Sequence, residues 1–210
     1  MRFKFAPAAP DEQTVFGAER PGYSAESVAP HAVEEWIDFM RAHGIRRVCC
    51  LLPPTQLAFY NDDLMDSYTK SFGAENVCHV PVTDLHLVSR TDLETMIMPF
   101  LRDSDQRRLP VVVHCSGGSG RTGHVLAAWL ARERHLSAQD ALATVRNTTR
   151  DPYEAVKQGN ATERELITLV SGDQELTGAL TTRWSRPGQP SVLLWRDTSL
   201  GRPGGSSRGR

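Results

Sequence analysis

The sequence predicts a single α/β domain whose central, mostly parallel sheet is flanked by helices on both faces. Two observations lead to this fold class. Patterns typical of strands and helices alternate along the chain, and one apolar strand runs through a glycine-rich loop directly into a helix. A length of 210 residues suits one domain with a full core. We expect residues 15–172 to form this domain, residues 1–14 an N-terminal extension with one strand, and residues 173–210 a C-terminal extension.

The first part of the chain combines irregular structure with one well-marked helix. Residues 1–23 are rich in proline and glycine, which predicts irregular structure with one short strand at 2–5. Apolar residues at helical spacing predict a helix from Pro30 to His43, and Gly44 offers a left-handed end. The next predicted elements are a buried strand at 45–52, a helix at about 61–72 and a second strand at 76–82.

The second part begins with a predicted helix. Thr91 and Glu94 form a capping-box pattern that predicts a helix at 91–102. Asp103 and Asp105 are then expected in the polar turn before the next strand. The remaining predicted elements are a third strand at 109–115 and helices that begin at Thr122, Ser137 and Thr162. In the C-terminal extension, residues 191–197 are compatible with one strand, and the Gly/Ser/Arg-rich end is typical of disorder.

The composition excludes several classes of function. A net charge of −1 predicts no general attraction to nucleic acid or to membranes. The chain has no apolar run of about 18 residues and no apolar signal-peptide core near residue 1. The four cysteines do not have the spacing of a disulfide framework or a zinc site, and the histidines show no ligand spacing. We therefore expect a cytoplasmic protein without a bound metal; its oligomeric state stays open.

Residues 114–123, with the sequence HCSGGSGRTG, carry the strongest functional signal. A glycine-rich turn between a strand and a helix binds phosphate, because successive N–H groups point inward and the helix N-terminus adds partial positive charge. Little side-chain bulk blocks the approach of a phosphate to the backbone here. The predicted phosphate-binding residues are Ser116, Gly117, Gly118, Ser119, Gly120 and Arg121.

Cys115 and Arg121 extend this interpretation from binding to chemistry. A thiol surrounded by inward N–H groups at a helix N-terminus is expected to be a thiolate at neutral pH, and a thiolate is a good nucleophile. The planar guanidinium of Arg121 can hold two phosphoryl oxygens at once. A nucleotide-binding P-loop is excluded because the pattern G-x-x-x-x-G-K-[ST] is not met.

Residues 114–123 resemble the H-C-x-x-G-x-x-R-[ST]-G signature of the cysteine-based protein tyrosine phosphatase superfamily. The segments VFGAERPGY, GIRRVCCLL, VPVTD and DPYEAVKQGNATERE occur in the order used by its dual-specificity branch, so the resemblance covers about residues 15–170. It implies that residues 15–172 are a catalytic domain that needs no cofactor. It also implies two steps: Cys115 attacks phosphorus to form a phosphocysteine, and water then releases phosphate.

The resemblance also assigns roles to neighbouring residues. Asp84 lies 31 positions before Cys115 and is predicted to be the general acid for the leaving group, with His86 as the second choice. Thr122 is expected to hydrogen-bond the cysteine sulfur and also to cap the helix. His114 is expected to be a buried residue that orients the thiolate and does not transfer protons.

Three later residues have weaker assignments. Gln158 and Asn160 are alternative candidates for positioning the hydrolytic water, although this segment departs from the commoner pattern of the family. Arg150 could add a charge that faces the phosphate, but its sequence context is more typical of a surface arginine.

The other three cysteines are expected in the core. Cys49, Cys50 and Cys78 lie on apolar strands, where cysteine behaves as a small hydrophobic residue. Whether one of them forms a disulfide with Cys115 on oxidation stays open.

The sequence leaves four functions to compare. The first is hydrolysis of phosphotyrosine, with possible activity on phosphoserine and phosphothreonine. The second is hydrolysis of a small non-protein phosphate such as an inositol phosphate, a phosphoinositide or an RNA 5′ end, which the uncharged residues 116–120 disfavour. Rhodanese-like sulfur transfer is disfavoured by Asp84 and by the Arg-Thr-Gly ending. A non-catalytic phosphate-binding module is disfavoured because Cys115, Arg121 and Asp84 are all present.

Overall fold

A computed structural model of the protein describes residues 2–172. The predicted C-terminal extension, including the strand at 191–197 and the disordered end, lies outside the described residues. The strands are β1 (Ala6–Pro7), β2 (Val15–Glu19), β3 (Arg47–Cys50), β4 (Val77–His79) and β5 (Val111–Cys115). The helices are α1 (Pro30–Ala42), α2 (Pro54–Leu57), α3 (Leu64–Phe72), α4 (Arg90–Asp92), α5 (Met98–Arg107), α6 (Gly120–Glu133), α7 (Ala138–Arg146), α8 (Glu154–Lys157) and α9 (Glu163–Ser171).

The five strands form one sheet in the order β1-β2-β5-β3-β4. β1 is antiparallel to β2, and the other neighbouring strands are parallel, as the alternating pattern predicts. β5 is central: Glu19 at the end of β2 pairs with Cys115, and Cys50 at the end of β3 pairs with His114. The carboxyl ends of three strands therefore meet at one edge, where the loop after Cys115 begins.

Both faces of the sheet are covered by helices, which confirms the predicted architecture. On one face, Val111 and Val113 belong to a core that includes Trp129 of α6. On the other face, Val112 belongs to a second core that includes Trp36 of α1 and Tyr68 of α3. The strand period of two divides the residues of β5 between these cores. None of the described helices is long and apolar enough to cross a membrane.

The N-terminal region differs from the prediction in two ways. The predicted strand at 2–5 is wrong, because Phe3 and Lys4 have φ values of 56° and 45° and belong to a tight 3₁₀ turn. The one strand of the extension is β1, a few residues later. Residues 15–19, expected to be irregular, instead form β2, an inner strand that pairs along the whole of β5.

The helix predicted at 91–102 begins earlier than its capping-box pattern indicates. Ser89 is the N-cap residue, and its hydroxyl accepts a hydrogen bond from the N–H of Asp92 at 3.0 Å. Thr91 therefore lies inside α4 and caps nothing. Ser89 and Asp92 repeat the same four-residue pattern two positions earlier, and this pair is the one that the fold uses.

The same helical segment also continues beyond its predicted end. A π-helical stretch, Leu93–Ile97, joins α4 to α5, which runs through Arg107. Asp103 and Asp105 are therefore helical residues. Both pair with arginines from other elements, Arg47 and Arg134, and these ion pairs favour continuation of the helix.

Candidate active site

The loop between β5 and α6 has a backbone geometry that depends on glycine. Gly118 has a φ of +63°, and a Cβ atom at this position would lie 2.6 Å from the carbonyl of Ala18 in β2. A side chain would therefore be both strained and obstructed. At Gly120 a Cβ atom would overlap the carboxylate of Glu154. Glycine at positions 118 and 120 is therefore favoured by contacts behind the loop, whichever ligand the loop binds.

Neighbouring segments hold the outer side of this loop. The N–H of Arg20 donates to the carbonyl of Ser116 at 2.9 Å, and Lys4 Nζ donates to the carbonyl of Gly117 at 3.1 Å. Ser119 Oγ accepts from the N–H of Asp151 at 3.2 Å. Within residues 2–172, the N–H groups at 117–119 have no protein acceptor. The loop therefore turns carbonyl groups toward the protein and leaves donors available for an anion.

A cavity of about 390 Å³ opens above this loop. Cys115 is only 3 % exposed and lies at its floor. The other lining residues are Ser116, Gly117, Ser119 and Arg121 from the loop region, and Lys4, Tyr23, Asp84, Leu85 and Glu154 from four other segments. No cluster of metal-ligating side chains occurs within the described part of the chain.

Arg121 is buried and held in a fixed plane by three groups. Its Nη1 donates to Gln56 Oε1 and to the carbonyl of Val82, both at 3.0 Å. Its Nη2 forms an ion pair with Asp84 Oδ1 at 2.6 Å. Its buried Nε has no hydrogen-bond partner among the residues described. Of the five N–H groups of the guanidinium, two on Nη1 and one on Nη2 are therefore paired with protein, and the N–H of Nε has no partner.

Asp84, the predicted general acid, lies beside this guanidinium at the mouth of the cavity. Its Oδ2 accepts from Gln56 Nε2 at 2.9 Å, and its side chain is half exposed. The alternative acid, His86, points elsewhere: its ring Nδ1 lies 2.8 Å from the carbonyl of Asp84, and it lines a different cavity. The structure thus brings Asp84 toward Cys115, and His86 lies away from it.

His114 is buried in the core on the other face of the sheet. Its Nε2 lies 3.0 Å from the hydroxyl of Tyr68, and its ring packs against Trp36. Burial lowers the pKa of His114 to about 3, so the ring is neutral. This environment agrees with an orienting role for His114.

Thr122 does not have the two contacts predicted for it. The N-cap residue of α6 is Ser119, so the prediction that Thr122 caps the helix is wrong. Its hydroxyl is buried without a hydrogen-bond partner in residues 2–172, so no bond to the sulfur of Cys115 is formed. A buried hydroxyl beside the loop remains a donor without an acceptor.

The residues considered for water positioning lie outside the cavity lining. Asn160 Nδ2 donates to the carbonyl of Leu85 at 3.0 Å and so contacts the segment that carries Asp84. Gln158 is exposed at the end of α8. Neither lines the cavity above Cys115.

Arg150 is not the surface residue that its sequence context suggests. It is 3 % exposed, and burial lowers its pKa to about 10. Its Nη2 donates to the carbonyl of Lys4 at 2.9 Å, and its Nη1 donates to Thr148. Arg150 therefore supports the N-terminal segment that carries Lys4.

The three other cysteines are free and lie in or against the core, as predicted. Cys49 and Cys78 are paired residues on β3 and β4, and a hydrogen bond between them raises the pKa of Cys49 and lowers that of Cys78. Burial raises the pKa of Cys50 to about 12. Cys50 shares a face with His114, whereas Cys49 shares the core that contains Cys115.

Besides Leu85, which adjoins Asp84, four residues in or beside the cavity were not identified from the sequence: Lys4, Tyr23, Glu154 and Gln56, which contacts Asp84 and Arg121. Glu154 Oε2 accepts from the N–H of Gly120 at 3.1 Å, and burial raises the pKa of this carboxyl. A signal existed only for Gln56, because residues that follow β3 share the sheet edge at which β5 ends. The other three arrive through tertiary contacts alone.

A thiol at the floor of a glycine-rich cradle, closed by an arginine and placed between a parallel strand and a helix, defines the cysteine-based protein tyrosine phosphatase class. Comparison with family models specifies the group within this class. The chain belongs to the family described as Tc-R-P, polymorphic toxin system, DSP-PTPase phosphatase, whose model matches residues 21–135.

Curated relatives include viral and animal phosphatases. The dual specificity protein phosphatase OPG106 of Vaccinia virus (strain Copenhagen) is 29% identical over 104 residues, which cover 49% of this chain and 61% of the viral protein. The tyrosine-protein phosphatase cdc-14 of Caenorhabditis elegans is 26% identical over 117 residues, which cover 55% of this chain and 14% of that protein. The match thus spans about three fifths of the viral relative.

Solved structures show the same fold. Tk-PTP in its active form is 24% identical, with a TM-score of 0.57, and the match covers 76% of this chain and 98% of Tk-PTP. A kinase associated phosphatase with its catalytic cysteine replaced by serine is 20% identical, with a TM-score of 0.58, covering 74% and 83% of the two chains. These similarities support the mixed sheet and its flanking helices.

Proposed function

We propose that the protein is a phosphatase that hydrolyses phosphate monoesters through a phosphocysteine on Cys115. The observation that carries this proposal is the convergence of a thiol, a guanidinium and a carboxyl on one cavity. Cys115 lies at its floor, Arg121 at its side and Asp84 at its mouth. These three groups are the nucleophile, the anion-binding group and the acid that the reaction requires.

In the first step the Cys115 thiolate attacks phosphorus. The sulfur–phosphorus bond forms as the bond to the leaving oxygen breaks, and Asp84 donates its proton to that oxygen. The N–H groups at 117–119 and the free Nε of Arg121 bind the phosphoryl oxygens and stabilise their charge. Bound phosphate shares the positive charge of Arg121 with Asp84 and therefore weakens their ion pair.

In the second step water attacks the phosphocysteine. Asp84, now a carboxylate, accepts a proton from the water, and Cys115 leaves as a thiolate. The unpartnered hydroxyl of Thr122 is a donor available to stabilise that thiolate. His114 stays neutral and takes no part in the proton transfers.

The mouth of the cavity supports phosphotyrosine as the preferred substrate. Tyr23 is 47 % exposed, and its ring lies against Gly117 of the loop. Leu85 is also exposed and lines the same cavity. An aromatic and an aliphatic side chain at the mouth suit the phenyl ring of phosphotyrosine better than the short chain of phosphoserine.

One observation favours the alternative, a small non-protein phosphate such as an inositol phosphate. Lys4 brings a cation to the cavity through its bond to the loop, and cations at a mouth attract polyanions. The carboxyl of Glu154 lines the same mouth and opposes this attraction. Phosphotyrosine therefore remains the substrate that we propose.

The family description places such phosphatases in polymorphic toxin systems. We propose that this protein acts as the phosphatase of such a system on phosphorylated proteins in a cytoplasm. All four cysteines are free, which suits a reducing compartment.

Phosphate release by the purified protein tests the proposal. The substrates are phosphotyrosyl, phosphoseryl and phosphothreonyl peptides, inositol phosphates, a phosphoinositide and a 5′-phosphorylated RNA. We expect the highest kcat/KM for the phosphotyrosyl peptide, and acid quenching should trap phosphate on the peptide that contains Cys115. A preference for inositol phosphates would support the alternative. Binding of phosphopeptides without any turnover would indicate a non-catalytic module.

A further inference from the structure

Gln56 connects the two charged groups of the site through one side-chain amide. It lies on the short helix α2 and is 8 % exposed. Its Oε1 accepts from Arg121 Nη1 at 3.0 Å, and its Nε2 donates to Asp84 Oδ2 at 2.9 Å. The amide therefore bridges the arginine of the loop and the acid at the cavity mouth.

The chemistry of the two partners fixes the orientation of this amide. A guanidinium only donates hydrogen bonds and a carboxylate only accepts them, so the oxygen must face Arg121 and the NH₂ must face Asp84. A glutamate at position 56 would keep the first bond and replace the second with repulsion between carboxylates. An alanine would remove both bonds. The role thus requires an amide with the reach of glutamine.

The bond to Gln56 matters most when phosphate occupies the loop. Asp84 Oδ1 pairs with Arg121 Nη2 and also accepts from the N–H of Leu85 at 3.1 Å, and a phosphoryl group bound to Arg121 weakens the ion pair. The bond between Gln56 and Asp84 uses the other carboxylate oxygen and so remains when the ion pair weakens. Arg121 Nη1 stays attached to the carbonyl of Val82 and to Gln56, so the bridge keeps a fixed anchor.

We propose that Gln56 is a positioning residue that holds Asp84 over the cavity when a bound phosphate weakens the ion pair between Asp84 and Arg121. This inference rests on the proposed phosphatase activity. It adds a specific consequence: Gln56 acts on protonation of the leaving group and has little effect on binding of the phosphoryl group.

Other charged groups near Asp84 do not replace this contact. Glu154 lines the same cavity, and its negative charge repels Asp84. His86 faces the main-chain carbonyl of Asp84 and leaves its carboxyl free, while Lys4 donates to the loop. Within the described residues, Gln56 is the neutral side chain that donates to the Asp84 carboxyl.

Turnover of aryl phosphates with leaving groups of rising pKa tests this role. Gln56→Ala should lower kcat for phenyl phosphate by roughly 10-fold to 100-fold, a part of the 10²–10⁴ that a positioned acid contributes. For the best leaving group the loss should be less than about threefold, because that oxygen needs no proton. Gln106→Ala, a change of the same type on the exposed surface of α5, should match the wild type throughout.

Two further variants separate the two ends of the amide. Gln56→Glu keeps an acceptor for Arg121 but adds a negative charge beside it, so affinity for inorganic phosphate should fall by a few fold while the dependence on the leaving group matches that of Gln56→Ala. In an Asp84→Asn background, Gln56→Ala should have little additional effect on phenyl phosphate, because the residue through which it acts is gone.

The outcomes of these experiments separate the positioning role of Gln56 from the proposed phosphatase activity. Equal losses by Gln56→Ala for every leaving group, or an undiminished loss in the Asp84→Asn background, would overturn the positioning role and leave the phosphatase activity standing. Absence of turnover in the wild type would overturn the proposed function, and the inference with it.

Discussion

The two loops that meet at the cavity are held in different ways. In the phosphate loop (residues 114–121), the backbone packs directly against β2, and a Cβ atom at Gly118 would collide with the carbonyl of Ala18. In the acid loop (residues 80–88), Asp84 is half exposed and Leu85 adopts a φ of 60° at the surface. The first loop is fixed mainly by the close packing of main chains. In the second loop the main chain bonds to the end of β3 at Val80 and Val82, and from Asp84 onward the contacts to other elements are individual side-chain hydrogen bonds.

The side-chain contacts of the acid loop come from three separate parts of the chain. Gln56 donates to Asp84, Asn160 donates to the carbonyl of Leu85, and His124 Nε2 accepts from the N–H of Val88 at 3.1 Å. Each such bond contributes about 0.5–1.5 kcal/mol and exchanges readily with a competing partner. The difference between the loops indicates that the fold itself fixes the geometry of the phosphate loop. The position of Asp84, in contrast, can change when a phosphate binds.

The largest expected effect comes from removing the nucleophile. Cys115→Ser should lower turnover of every substrate by roughly 10⁴-fold or more, because a serine hydroxyl stays protonated in this site. Binding of inorganic phosphate should persist, because the loop N–H groups and Arg121 are unchanged. Cys78→Ser, the same substitution on β4, should keep normal turnover. Wild-type rates of phosphate release from Cys115→Ser would remove Cys115 from the mechanism.

Removing the acid should produce a smaller loss that depends on the substrate. Asp84→Asn should slow phenyl phosphate by roughly 10²–10⁴-fold and affect good leaving groups much less. Affinity for inorganic phosphate should rise by a few fold, because Arg121 Nη2 no longer pairs with a carboxylate. Calorimetric titration with phosphate and an aryl phosphate series measure the two effects. Equal losses across the series would exclude Asp84 as the acid, and Asp66→Asn on the surface of α3 serves as the control.

A pair of glycine substitutions tests whether main-chain packing fixes the phosphate loop. Gly118 and Gly44 both have positive φ, 63° and 83°, so alanine at either position is strained by about 1 kcal/mol. Only at Gly118 does the new Cβ meet another backbone; at Gly44 there is open space. Gly118→Ala should lower kcat/KM by roughly 10-fold to 100-fold for all leaving groups alike, because the loop N–H groups would be displaced from the phosphoryl oxygens.

Gly44→Ala is the matched control for backbone strain. Its melting temperature should fall by about 2–4 °C for each kcal/mol of strain, with kcat/KM close to the wild-type value. Equal activity of the two variants would show that packing against β2 does not set the geometry of the loop.

The smallest expected effect is on stability in mild acid. Burial lowers the pKa values of His114, beside the phosphate loop, and of His124, which contacts the acid loop, to about 3. The unfolded chain takes up these protons near pH 6.5, whereas the folded chain does not, so stability is lost as the pH falls below about 6.5. Each histidine contributes a slope of up to about 1.4 kcal/mol per pH unit.

Urea unfolding between pH 7.5 and pH 5.0 measures how the free energy of unfolding changes with pH. Most carboxyl groups titrate below this range and therefore contribute little to the slope. His124→Asn should reduce the slope by the contribution of one histidine. An unchanged slope in this variant would mean that His124 is protonated in the folded state as well.

The phosphate loop could be predicted from the sequence because its requirements are local. Cys115 and Arg121 are six positions apart, and the small residues between them define the backbone path. The surroundings of the acid could not be predicted in this way. Gln56 and Glu154 reach the site from α2 and α8; the position of Gln56 after β3 indicates only a place at the same sheet edge, and no local pattern indicates a role for Glu154.

The fold shows the same division. The helix that follows the acid loop has two possible caps two residues apart, Ser89 and Thr91, and Ser89 is the one that caps it. β2 was missed because it is short and contains Gly17. Glycine is favoured there by neighbours distant in sequence: a Cβ atom would lie 2.7 Å from Arg150 Nη2 and 2.8 Å from a methyl group of Leu126. A short strand that depends on its pairing partners has little sequence pattern by which it could be predicted.

The position of β2 also bears on how this domain can be moved between proteins. The family match begins at residue 21, whereas β2 ends at Glu19 and pairs with every residue of β5. A segment consisting only of residues 21–135 would lack β2. The edge of β5 that pairs with β2 would then have no hydrogen-bonding partner. Unpaired apolar edges of this kind recruit other chains and aggregate. We expect a segment that folds in another protein to begin before β1 and to include Arg150. Arg150 is distant in sequence but donates a hydrogen bond to the N-terminal segment at Lys4.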